Sequence, residues 1–220
     1  MMKKILLIII FSLLWLNVCY SQKLYPLNVG LGTNLRTGLN IAQVPQGRKL
    51  DINIGQIPDF NATIYLPYSL DYNIGTMFDL SYSTIGHTIK DELTGTQFAT
   101  NISYLSISPS LFIEGFIAGF EIGIPVSSTI DGNFDEKNLN SVLYSLKLGT
   151  LISVIENDGG RLTFNIIGNF MLNGIYTNYP ESDPLAGLIS SRADFELTEQ
   201  NNPRIFSLSL GITYFFNINY

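Results

Sequence analysis

The sequence predicts an all-β fold: a single antiparallel up-and-down barrel of eight strands that spans a membrane. Three observations carry this. Apolar side chains recur with period two along most of the chain, not with the 3.6 period of a helix. Short and long connections alternate between the strand segments. The polar side of the alternation is made of small residues, where a water-facing sheet would carry Lys and Glu.

The first segment, "MMKKILLIIIFSLLWLNVCYSQ", has Lys3 and Lys4, then an apolar run from Ile5 to Leu16, then small residues around Ser21. That is the build of a secretory signal peptide, and the run is shorter than the roughly 20 residues a spanning helix needs. The expected domains are therefore a leader over 1–21 and a barrel over 22–220. Cys19 as a lipid-attachment site is the alternative, but Val18 is bulky where such sites want a small residue. Cleavage would remove the sole Cys and the sole Trp, excluding disulfide and thiol chemistry from the remainder. It would leave 10 basic against 18 acidic side chains, a net charge of −8, which excludes nucleic acid as a partner.

Each strand follows from its alternation. The first runs from Leu27 to Ile41 on odd apolar positions, Thr33 and Thr37 among them. The second carries Ala62, Ile64, Leu66, Tyr68 and Leu70, and the third Tyr72, Ile74, Phe78, Leu80 and Tyr82. The fourth, about 98–112, switches apolar parity from Ile102 and Tyr104 to Leu105, Ile107 and Leu111, which predicts a bulge near Tyr104. The fifth carries Phe116 to Val126, the sixth Val142 to Val154, and the seventh Leu162 to Leu172. The eighth is "FSLSLGITYFFNINY", with apolar residues at every even position from Phe206 to Tyr220. Tight turns are expected at 70–73, at Glu114-Gly115 and at Asp158-Gly159, an Asp-Gly hairpin signal. Long polar loops are expected at 42–59, 86–97, 128–139 and 174–203. The segment "LDINIGQI" (50–57) keeps the parity of the second strand and reads as its extension above the membrane, broken near Pro58. A ten-stranded barrel is the alternative count.

The polar face decides between a membrane barrel and a soluble one. It is mostly Gly, Ser, Thr and Asn, which suits an interior that side chains must fill. Arg36, Asp79, Glu121 and Lys147 all fall on it and read as a lumen charge cluster, two of each sign. Glu121 and Lys147 are equidistant from Phe134 and are expected to face each other across paired strands.

Chemistry-bearing motifs are sparse, and neither a cofactor nor a metal site is expected. His87, the sole histidine, lies in "STIGHTIKDE", expected to be a solvated loop. Asp131, Asn133 and Asp135 alternate like a calcium loop, but Glu136 stands where the sharp turn needs Gly, and Val142 where the final Glu belongs. Gly30, Gly32 and Gly38 precede no helix that would present a phosphate site.

On the signal peptide, the strand pattern, the alternating loops and the terminal aromatic, the chain resembles the small Gram-negative outer-membrane barrels, the group of the OmpA transmembrane domain and OmpX-like proteins. The family tail favours a glycine where Phe215 stands. The resemblance implies outer-membrane lipid as solvent, a non-enzymatic structural or surface-interaction role, and an extracellular ligand held by the four long loops. Its alternatives are a conduit for small or apolar molecules, or a lipid-acyl-modifying enzyme using His87. The known lipid-deacylating barrels place Ser two residues after the His, where this chain has Ile89. The resemblance also implies that Tyr214, Phe216 and Tyr220 form an assembly signal read by the barrel-assembly machinery, which would pair with the last strand by β-augmentation. Deleting Tyr220 is then expected to lower the stability of detergent-refolded protein only modestly, yet to cut membrane insertion in cells sharply. Quantifying the membrane-inserted fraction checks this.

Overall fold

The computed structural model describes residues 27–44, 47–54, 57–69, 73–95, 97–130, 133–134, 139–177 and 199–218. The expected leader, the 178–198 stretch, Tyr220 and most of the calcium-like segment lie outside them.

Among the described residues eleven strands follow in chain order: β1 Leu27–Asn40, β2 Arg48–Asp51, β3 Asn53–Ile54, β4 Asp59–Ser69, β5 Ile74–Asp91, β6 Gln97–Ile113, β7 Phe116–Ile130, β8 Asn133–Phe134, β9 Leu143–Asn157, β10 Gly160–Met171 and β11 Ile205–Ile218. Eight of them form an antiparallel ring in the order β1-β4-β5-β6-β7-β9-β10-β11. The ring closes where β11 pairs with β1 from Leu27↔Ile218 to Asn40↔Ile205. Closure pairs the edge that an open sheet would leave exposed, as a membrane requires. The remaining three strands are short annexes. β3 pairs with β1 and β2 with β5, so together they occupy the place in the wall that β4 holds below them. The 50–57 segment thus extends the line of β4, and the ring count stays at eight.

Local chemistry sets the tight turns. Glu114 and Gly115 both take positive φ, 49° and 94°, the two-residue geometry whose twist matches a hairpin. At the third turn the Asn157 side-chain oxygen accepts from the Gly159 and Gly160 amides at 3.0 and 3.1 Å.

The outer face is apolar and unburied. Phe116 is 69% exposed, Leu148 62%, Ile124 60% and Leu80 58%. A continuous band of such side chains is the surface of a protein solvated by lipid. Aromatic residues bound it. Outward Phe60 and Tyr82 pair near one end, as do Phe170 and Phe206, while Phe116, Tyr214 and Phe216 face outward near the other. Phe206 and Phe216 are ten residues apart in β11, which at ~3.3 Å per residue and a tilt of ~40° separates them by about 25 Å, a bilayer's apolar thickness.

The structure corrects two expectations. Residues 86–97 are not a loop: β5 runs to Asp91 and β6 starts at Gln97, leaving a short connection. From Ser83 to Ile89 every residue of β5 is buried, because Asn53 of β3 reaches Asn101 over Gly86 and Gly38 of β1 abuts the Gly86 carbonyl. A side chain at Gly38 would overlap that carbonyl. The second concerns Tyr104: an irregularity falls there as expected, between Ser103 and Tyr104, but it does not switch the parity of β6. Ile102 and Tyr104 share the inward face with Ser106, Ser108 and Phe112, so β6 keeps one parity throughout. The irregularity lies in its partner: Ser103 pairs with Ser127 and Tyr104 with Pro125, leaving Val126 as the extra residue of β7. In both places apolar residues of inverted parity mark inward packing, not the end of a strand or a bulge in it.

Lipid solvation of the outer face has a measurable consequence. Leu148→Arg is expected to cost roughly 2–4 kcal/mol in denaturant unfolding from lipid vesicles, the penalty for a cation on the lipid face near mid-membrane.

Candidate functional site in the barrel lumen

Inward side chains divide the lumen into three tiers. At the turn end Tyr65, Met77, Phe112, Ile117, Leu151 and Phe215 form an apolar plug, with Tyr65 edge-on to Phe112 at 5.2 Å. Arg161 covers it, its guanidinium 5.4 Å from the Phe215 ring centre and 6.0 Å from that of Phe112, a cation–π arrangement. Phe215, 1% exposed, lies opposite Gly30, where an added Cβ would come within 2.9 Å of its ring. The missing tail glycine is therefore replaced by a plug residue whose space Gly30 provides. At the loop end a second plug gathers Ile85, Ile102, Tyr104, Leu143, Met171, Ile175, Tyr176 and Ile205.

Between the plugs lies an ionic tier. Arg36 sits just above the level where β4 ends, since Asn34 is paired with Asp59, the first residue of that strand. Its guanidinium donates to Asp59 Oδ2 at 2.6 Å, to the Tyr104 hydroxyl, and at 3.4 Å to Ser83. Glu121 Oε2 lies 3.8 Å from the same guanidinium. Asp59 Oδ1 accepts from the Thr84 amide at 2.9 Å, a donor that β4 no longer reaches. Across the tier Lys147 Nζ meets Asp79 Oδ2 at 2.6 Å, and Asp79 Oδ1 accepts from Thr63, which in turn accepts from Asn61 at 3.0 Å. All five charged side chains are 8% exposed or less, so pairing offsets a desolvation cost that each ion alone could not bear.

The structure brings Arg36, Asp79, Glu121 and Lys147 into this one tier but joins them differently from the expected pairing. Lys147 lies opposite Gly119, and Glu121 opposite Ser145. The two-residue offset sends Lys147 across the lumen to Asp79 and leaves Glu121 to Arg36. Equal spacing from Phe134 failed because the β7–β9 connection is not symmetric about that residue: Phe134 belongs to β8, which folds back onto β7. Asp59 was missed. It closes the loop expected at 42–59, yet with Asn61 and Thr63 it continues the polar parity of β4.

His87 is likewise not a solvated loop residue. It is 2% exposed, with no hydrogen-bond partner on Nδ1, because it lies within the covered part of β5, opposite Thr100. Ile89 shares its face, and Ser83 is engaged by Arg36. Tyr214 and Phe216 stack edge-to-face at 4.7 Å on the outer wall. The space left inside the ionic tier is about 30 Å³, room for about two waters. Among the described residues no group of three or more His, Cys, Asp or Glu side chains is placed to hold a metal ion.

The ring and its apolar outer band define a class: an eight-stranded transmembrane β-barrel with a filled lumen. No protein-family model matches the chain, and no curated protein matches it. Solved structures do. Ail, the attachment invasion locus protein of Yersinia pestis, solved in complex with the heparin analogue sucrose octasulfate, matches at a TM-score of 0.42 with 9% identity, over 87% of this chain and 100% of its own. The outer membrane protein OprG from Pseudomonas aeruginosa matches at 0.39 with 12% identity, over 86% and 96%. The translocator domain of the autotransporter NalP from Neisseria meningitidis matches at 0.34 with 12% identity, over 90% and 91%. The fold assignment rests on the closed ring itself.

The ion pairs yield an asymmetric expectation. Lys147→Met alone is expected to cost about 3–5 kcal/mol, since it strands Asp79, while Lys147→Met with Asp79→Leu costs far less. Denaturant melts through a double-mutant cycle check this, and the Glu121/Lys147 cycle should show the weaker coupling.

Proposed function

We propose that the protein is a non-conducting, non-enzymatic barrel of the outer membrane that anchors surface structures, and that its extracellular side carries the biological contact. The observation behind this reading is the filled lumen. A conduit needs a continuous path, whereas two apolar plugs enclose an ionic tier whose remaining cavity is about 30 Å³. A lipid-modifying enzyme would need a histidine that meets acyl chains at the wall, and His87 is buried inward, away from the lipid face.

The wall beyond the membrane supports the same reading. β5 and β6 have 18 and 17 residues, against the 9–11 a tilted strand needs to cross. Their surplus, flanked by β2 and β3, builds a rigid rim at the roots of the loops, and binding residues concentrate in loops positioned by a rigid scaffold. A ligand would be met by what remains of 42–59, 86–97, 128–139 and 174–203, with outer-membrane lipid and the assembly machinery as the other partners. The leader over 1–21 would supply export.

Two measurements test this. Fractionated cells should show the protein in the outer membrane, with gel mobility that shifts on heating in SDS. Purified protein in planar bilayers should give no step conductance, and resolved channel openings would overturn the reading.

A further inference from the structure

The charges of the ionic tier do not balance, and several of its buried polar atoms lack a partner. The tier holds three carboxylates, Asp59, Asp79 and Glu121, against two cations, Arg36 and Lys147. One negative charge is left over inside a lumen closed by apolar plugs. Asp59 and Asp79 each have an ion pair at 2.6 Å and a second donor. The surplus therefore falls on Glu121, whose Oε2 is 3.8 Å from Arg36 and whose Oε1 has no hydrogen-bond partner.

Among the described residues four more buried oxygens have no partner, Asn34 Oδ1, Ser110 Oγ, Asn169 Oδ1 and Ser209 Oγ, and Asn169 Nδ2 is unpaired as well; Asn34, Asn169 and Ser209 belong to the tier. These three are 8%, 3% and 1% exposed, and Glu121 is 3% exposed. All four line the one 30 Å³ cavity. The register makes them neighbours on the wall: Ser209 lies opposite Arg36, whose strand also carries Asn34, and Asn169 lies opposite Lys147. Unmatched buried acceptors are costly to leave unpaired. Here they surround a space of the right size for one small ligand.

We propose that this cavity binds a single monovalent cation, held by Glu121 Oε1 and the oxygens of Asn34, Asn169 and Ser209. One positive charge neutralises the tier. A divalent ion would overcharge it and would need six or more oxygen ligands or retained water. Oxygen donors select hard cations, sodium and potassium being the abundant monovalent ones. The ion joins Glu121 of β7 to Asn34 of β1, Ser209 of β11 and Asn169 of β10, acting as a staple on the closed ring.

The test uses the whole barrel refolded in detergent at constant ionic strength in lithium, sodium, potassium or N-methylglucamine chloride, with the denaturation midpoint as readout. Ligand linkage converts the rise in midpoint with cation concentration into an apparent dissociation constant. Wild type should be more stable in an alkali cation than in N-methylglucamine, with a preference among the three. Glu121→Gln should weaken the apparent affinity at least tenfold. Ser209→Ala keeps every charge, should weaken it several-fold, and stands in if Glu121→Gln does not fold. Equal wild-type midpoints in all four salts would overturn the proposal. A salt dependence unchanged in Ser209→Ala and Glu121→Gln would overturn it equally, placing the cation on the protein's surface.

Discussion

An eight-stranded ring is too narrow to keep its interior wet and too wide to leave it empty, and the rest of the structure answers to that constraint. Lipid outside demands that every wall amide be paired within the wall, which closes the sheet. Closure then fixes a lumen that inward side chains must fill at interior density. Small residues line much of it, and the volume they leave is occupied by two apolar plugs. The charged side chains are confined to the layer between, where they have each other and the hydroxyls of Thr63, Ser83 and Tyr104 as partners.

The ionic tier works as a register device as much as a source of stability. A buried pair is weak evidence for net stabilisation, because desolvation can match its Coulombic gain. What it does supply is discrimination. Shifting β5 or β9 by one residue would turn Asp79 or Lys147 toward lipid, at a cost no surface sheet would meet. The pairs Arg36–Asp59 and Lys147–Asp79 link β1 to β4 and β5 to β9. β9 is far from β5 in sequence and is not its neighbour in the ring, so the second pair fixes a relation across the lumen that no ladder supplies.

The outer end departs from a simple meander for the same reason. Once β4 stops at Asp59, the wall above is rebuilt from β2 and β3, and β5 is covered on both faces. That arrangement buries Ser83 to Ile89, shelters His87, and gives Asp59 the Thr84 amide that would otherwise be left without a partner. The proposed reading as a surface anchor rests on this rim and on the filled lumen together.

Period-two alternation, the small polar face and the turn residues were legible in the sequence, and with them the strand count, the lipid-facing set and the inward direction of Arg36, Asp79, Glu121 and Lys147. Those features are local: a side chain's face follows from its parity within its own strand. Which charge meets which depends on the stagger between strands, as where the β7–β9 register sets Lys147 opposite Gly119 and Glu121 opposite Ser145, and parity carries no record of stagger. Apolar residues on the inward parity, such as Ile85, Ile102, Tyr104, Phe112 and Phe215, looked like breaks in the pattern or departures from it. Only the closed ring shows them as plugs, because packing across a lumen joins residues that no stretch of sequence brings together.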